Sequence, residues 1–119
     1  MVDERVLEEL HASVEGDTGF VRDLIDAYLV DSAEQLEAIE AALRAEDAEA
    51  LVRPAHTLKS SSATVGAMDV SALARTLEVA GRSGSLGDLE ARRAAEALPG
   101  VMDTTEPALR AWIAGAEGR

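Results

Sequence analysis

Apolar residues recur at spacings of three and four along almost the entire chain, and that period allows little except helices. Val6, Leu7 and Leu10 group on a short first segment, about Glu4 to Ser13, which ends near Gly16. Val21, Leu24, Ile25, Tyr28, Leu36, Ile39 and Leu43 continue the pattern to about Ala45, with mostly acidic residues between them. Asp17 or Thr18 can cap that long helix by accepting an orphan backbone N–H, and Asp47 can cap the next one. The third stripe runs through Leu51, Ala55, Leu58, Ser62 and Val65, and Gly66 ends it by taking a left-handed backbone. Pro54 lies inside this helix and predicts a kink, because it removes one backbone hydrogen bond while the apolar spacing continues through it.

A fourth helix is expected from Asp69 as N-cap through Val70, Leu73, Leu77 and Ala80, dissolving in Gly81-Arg-Ser-Gly84. Leu89, Ala95, Leu98, Met102, Thr105, Leu109 and Trp112 then keep the period across Pro99-Gly100 and Pro107, which predicts one long kinked helix. Aromatics make up only 3% of the chain, so Leu, Ala and Val must supply the packing, and that mixture favours helix over strand. The 119 residues fit a single domain spanning 1–119. Short connections favour antiparallel neighbours. The expected fold is therefore all-α, an antiparallel up-down four-helix bundle with an additional short N-terminal helix. No helix shows a complete second apolar face, so a monomer is expected.

Charge and composition narrow the function. A formal charge of -12 argues against nucleic acid or an anionic membrane as partner. With no cysteine, thiol chemistry, disulfides and thiolate metal sites are excluded. No apolar run is long enough to span a membrane, and the amino terminus is acidic instead of signal-like, so cytoplasmic residence is the default expectation. A membrane-anchored parent carrying the domain on its cytoplasmic side would also meet it, while compact length and a single-domain pattern point to a free-standing protein.

Against this acidic background, Ala50 to Met68 is the longest run without an acidic residue, and it holds His56 and Lys59, the chain's single lysine. Helical phase puts His56 roughly 140° from the centre of the inward stripe, with Lys59 and Ala63 following one and two turns later. Pattern alone leaves open a solvated surface histidine. The chemical alternative is a phosphoacceptor. Imidazole is mostly neutral near pH 7, with an unperturbed pKa of about 6.5, and one ring nitrogen can attack phosphorus. Lys59 can reach the new negative charge, Ser60 and Ala63 are small enough to let a partner's active site close over the ring, and Val52 offers an apolar contact. Thr57, Ser61 and Ser62 read as packing or solvation. His11 has no ligand spacing to His56, and Glu-x-x-His pairs for a zinc or di-iron site are missing, so no metal site is expected. Trp112 and the methionines read as core or helix-end packing.

Ala55-His56-x-Leu58-Lys59-x-Ser61-Ser62-x-x-x-Gly66-Ala67 closely resembles the signature of histidine-containing phosphotransfer (HPt) domains. The similarity extends forward through Val70, Leu73, Ala74, Leu77 and Glu78, and backward through Tyr28, Leu36, Ala42, Leu43 and Asp47. The resemblance implies a phosphorelay module: a receiver-domain aspartyl phosphate donates to His56, through Nε2, and a second receiver accepts from it. It implies Lys59 as the residue that stabilises the phosphoryl group, and response-regulator receivers, with a hybrid histidine kinase in addition, as partners. Mg²⁺ would come with the receiver, and this chain would need no cofactor of its own. Two positions depart from the family pattern. Ser60 stands where glycine is usual, small enough for transfer to survive, and Pro54 just before the signature is unusual. Kinase phosphoacceptor helices commonly carry an acidic residue after the histidine; here it is Thr57, and there is no glycine-rich nucleotide segment. A transfer partner without kinase activity is expected, and the competing non-enzymatic reading is a helical adaptor that binds a receiver or kinase without carrying phosphate.

Overall fold

Aspartates stand at the N-cap of four helices, and in three of them the side chain makes the capping bond. Asp3, Asp17 and Asp47 occupy N-cap positions, where their side chains accept from the backbone N–H of Arg5, Phe20 and Ala50. The computed structural model describes residues 2–118 and folds them as α1 (Glu4–Ser13), α2 (Thr18–Arg44), α3 (Ala48–Thr64), α4 (Met68–Ser83) and α5 (Leu89–Glu117). Among the described residues there is no strand, only an isolated bridge pairing Val2 with Ala67. Met1, one of the methionines read as packing, lies outside the described residues.

Helix α2 packs on α3, α3 on α4, α4 on α5, and α5 returns to α2, with α1 laid against α2. The molecule measures 47 × 20 × 19 Å, and at about 1.5 Å per residue α5 alone runs nearly its whole length. Fully buried Leu7, Ile25, Ile39, Leu51, Leu58, Leu77, Leu98 and Leu109 fill the interior, so leucine and isoleucine do the packing that aromatics do elsewhere. Tyr28 brings a polar group into that core. Its hydroxyl lies 2.8 Å from the Ser62 hydroxyl, and burial raises the phenol's pKa although that hydrogen bond works the other way.

Both prolines of α5 and Pro54 of α3 sit inside continuous helices. Two boundaries correct the sequence reading. Helix α4 starts at Met68, with Ala67 at the N-cap and no side-chain cap bond, and Asp69 lies in its first turn. Gly66, at φ +78°, turns the chain so sharply that the Ala67 N–H bonds to the Ser62 carbonyl and the Met68 N–H to the Gly66 carbonyl, which sets the start of α4 ahead of Asp69. At its other end α4 does not dissolve at Gly81. It continues to Ser83, and Gly84 at φ +71° provides the left-handed stop. Leu89, taken as the start of the last apolar stripe, is exposed, and the buried face of α5 begins at Ala91.

Candidate functional site

The inward stripe of α3 turns His56 outward, as its phase predicts, and leaves the imidazole 54% exposed. Lys59 is drawn further in, to 31%, by a charge that helix α4 supplies. Ser71, Ala74, Glu78 and Gly81, spaced by three and four, form a second face of α4 that is buried against α3. Small side chains let the two helices approach. A Cβ on Gly81 would sit 2.9 Å from the Ala48 carbonyl oxygen and 3.0 Å from Val52 Cγ2, so only glycine fits at that crossing. Nearly three turns back along α4, the Ser71 hydroxyl donates to the Lys59 carbonyl at 2.9 Å.

Glu78 is the acidic member of that face, 5% exposed, and it meets three nitrogen-bearing side chains. Its Oε2 lies 3.0 Å from His56 Nδ1 and accepts from Arg82 Nε at 3.1 Å and Nη2 at 2.8 Å. Its Oε1 lies 2.7 Å from the Lys59 ammonium, and since it makes no aligned hydrogen bond, the charge of Lys59 is what compensates it. Burial by itself would push the Glu78 carboxyl up, but Lys59, Arg82 and His56 together outweigh it and hold the pKa down at about 2. Glu78 is therefore ionised at neutral pH and can only accept, which makes Nδ1 the donor and sets the ring tautomer. Nε2 is left facing outward without a protein partner among the described residues.

The other expected site residues fall around this pair. Val52 is half-buried, with Gly81 packed against its Cγ2, so it supports the α3–α4 contact as well as edging the surface near His56. Ser60 is exposed and Ala63 half-buried on the same side of α3. Gly66 is buried and serves as a seat for α1: the Asp3 N–H donates to its carbonyl at 2.8 Å, and a Cβ would fall 2.6 Å from the Asp3 oxygen. His11 is elsewhere, bonded to Thr18 and stacked edge-on to Trp112. Among the described residues no three acidic or histidine side chains converge to hold a metal ion.

Sequence reasoning set Lys59 near the imidazole and missed Glu78 and Arg82 as part of its surroundings. The stretch without acids is locally basic in sequence only, because α4 inserts its carboxylate there. A signal existed in the second small-residue stripe of α4. A single acid among residues small enough to admit another helix has to be paired there.

Comparison with known proteins agrees with the motif. The family model described as the Hpt domain matches residues 23–116. The chain is also similar to a crystal structure of histidine-containing phosphotransfer protein B from Pseudomonas aeruginosa PAO1, at 29% identity and a TM-score of 0.81 over 94% of this chain and 93% of that one. No curated protein matches the chain.

Proposed function

The chain belongs to the Hpt domain family, and we propose that it is the histidine phosphotransfer component of a multistep two-component phosphorelay. The observation that carries this reading is the oriented imidazole: a buried, ionised Glu78 takes up Nδ1 and leaves Nε2 pointing to solvent on a half-exposed ring. A receiver's aspartyl phosphate would place its phosphorus against Nε2, and a second receiver's aspartate would take the group away. Lys59, held beside the ring by Glu78, screens the phosphoryl charge. Val52, Ser60 and Ala63 lie under the docked receiver, which brings its own Mg²⁺ and carboxylates.

The ring of packing from α2 to α5, with short turns between consecutive helices, supports an antiparallel up-down bundle to which α1 is added, as one domain over 1–119. Among the described residues no helix is long and apolar enough to cross a membrane, and a monomer working in the cytoplasm fits the reading. Incubation with a panel of phosphorylated receivers should put acid-labile label on the wild type and none on His56→Gln. Receiver binding with no label on any of them would favour an adaptor, and equal labelling of the variant would remove His56 from the mechanism.

A further inference from the structure

Glu78 does more than orient the ring, because its geometry constrains the phosphorylated state as well. We propose that Glu78 keeps a proton on His56 Nδ1 throughout the transfer cycle, so that the phosphorylated ring is a phosphoimidazolium poised to pass its phosphoryl group on. This inference rests on the phosphotransfer reading above.

The step balances without any proton changing place. Before transfer, Nδ1 carries the hydrogen and Nε2 the lone pair. That pair attacks the phosphorus of the acyl phosphate, the Nε2–P bond forms, and the P–O bond to the acyl oxygen breaks with its electrons left on the aspartate carboxylate. The product ring carries phosphorus on Nε2, hydrogen on Nδ1 and a positive charge. In the outward step the Nε2–P electrons return to Nε2, the acceptor carboxylate takes the phosphorus, and neutral imidazole is restored.

In water such a ring can lose its Nδ1 hydrogen. Here the loss would leave a nitrogen lone pair facing a carboxylate oxygen at 3.0 Å. The oxygen cannot turn away, because Arg82 grips Oε2 through both Nε and Nη2 while Lys59 holds Oε1. The side chain is only 7% exposed, so water can do little to relieve that repulsion. The charged groups facing the ring are Glu78 and Arg82 from α4 and Lys59 from its own helix, with Arg53 exposed one turn before it. Helix α2, also packed on α3, bonds to it through Tyr28 and Ser62, nearly two turns further along. Lys59 and Arg82 oppose a third positive charge, but a dianionic phosphoryl group cancels the sum of the three cations and Glu78. With the exposed Arg53 left to solvent, a deprotonated ring would leave the cluster of Lys59, Arg82, Glu78 and phosphoryl group one negative charge in excess.

The test uses phosphoramidate, a chemical phosphoryl donor that labels histidine without a receiver, on protein carrying ¹⁵N-histidine. In the wild type, the ¹⁵N shift of the phosphorylated ring should report a protonated Nδ1 from about pH 6 to about pH 8. In Glu78→Gln the proton should be lost near the ordinary imidazole value of about 6.5, and the phosphohistidine should survive at least about tenfold longer at the upper end of that range. A wild-type Nδ1 that loses its proton near that ordinary value overturns the inference, as do equal lifetimes in a folded variant or failure of phosphoramidate to label His56. The wild-type titration stands by itself if the variant does not fold. Labelling by phosphoramidate with a protonated Nδ1, but none from any phosphorylated receiver, would sink the relay reading while confirming the chemistry of the pair.

Discussion

The two histidines of this chain occupy opposite settings, and the contrast shows what makes one of them chemically useful. His11 closes α1, half-buried, with Nε2 2.9 Å from the Thr18 hydroxyl and its ring edge-on to Trp112 at 5.6 Å. Trp112 in turn donates from Nε1 to Glu8 at 3.1 Å. The His11 ring nitrogen thus meets a neutral hydroxyl, and the outcome is a joint holding α1, α2 and α5 together. His56 sits on the outer face of α3, its ring more than half exposed, against a carboxylate that is almost wholly buried. A free outer nitrogen and a fixed inner one are what group transfer needs, and Nε2, the nitrogen that would react at His56, is already engaged at His11. Exposure alone does not separate the two; the buried charge behind the ring does.

The largest expected effect breaks the pair apart directly. In the same receiver assay that abolishes labelling for His56→Gln, His11→Gln should label at the wild-type rate, since its ring touches nothing near Nε2 of His56. A His11 variant that folds normally but transfers poorly would show that the two settings are coupled along the bundle.

Acid should then find the His56 side and spare the His11 side. The Glu78 pKa is depressed from 4.5 to about 2 in the folded protein, so its contribution is complete above the unfolded value and is lost as pH falls from about 4.5 towards 2. At about 1.4 kcal/mol per pKa unit, that contribution is at most about 3–4 kcal/mol. Urea unfolding across this window should show a steeper loss for wild type than for Glu78→Gln. Asp3, held low by its bond to Arg5, adds the same slope to both proteins and drops out of the difference. Parallel profiles would mean that Glu78 is solvated enough to protonate without consequence.

Much of this contrast was legible in the sequence, and the part that was not has a single cause. Period and capping residues locate the helices because they are local: Asp17, Asp47 and Gly66 act within a few residues of themselves. The outward phase of His56 is local in the same sense. Glu78 is 22 positions away and reaches the ring only once α3 and α4 have packed, an approach that Gly81 permits. Reading Gly81 as the dissolving end of α4 hid this, since a helical glycine usually weakens a helix and here it admits a neighbour. The same long-range contact explains why Lys59 lies deeper than helical phase alone puts it.

That depth changes what Lys59→Ala should do. An outward lysine could be removed without loss of stability, but Glu78 Oε1 has no other compensating group among the described residues. Stranding a buried acceptor costs about 1–3 kcal/mol, so the variant should remain folded with a lowered unfolding midpoint and should also transfer more slowly. Restoring the midpoint by adding Glu78→Gln, without restoring the transfer rate, would separate the structural work of Lys59 from its work on the phosphoryl group. Unchanged stability in the single variant would contradict the pairing.

The smallest effect belongs to the quiet side of the comparison. Thr18→Val keeps the shape and branching of the side chain but removes the hydroxyl that meets His11 Nε2. A neutral hydrogen bond of this kind is worth about 0.5–1.5 kcal/mol net, and the half-buried ring can recruit water in its place, which favours the low end. Chemical denaturation should register that small loss, and receiver transfer through His56 should not change. The prediction discriminates because Thr18 is the first residue of α2, whose Tyr28 bonds to Ser62 of α3. If transfer fell together with stability, the bundle would be passing strain from α1 to the phosphoacceptor helix. If only stability fell, His11 would be a joint, and the chemistry would depend on the α3–α4 contact alone.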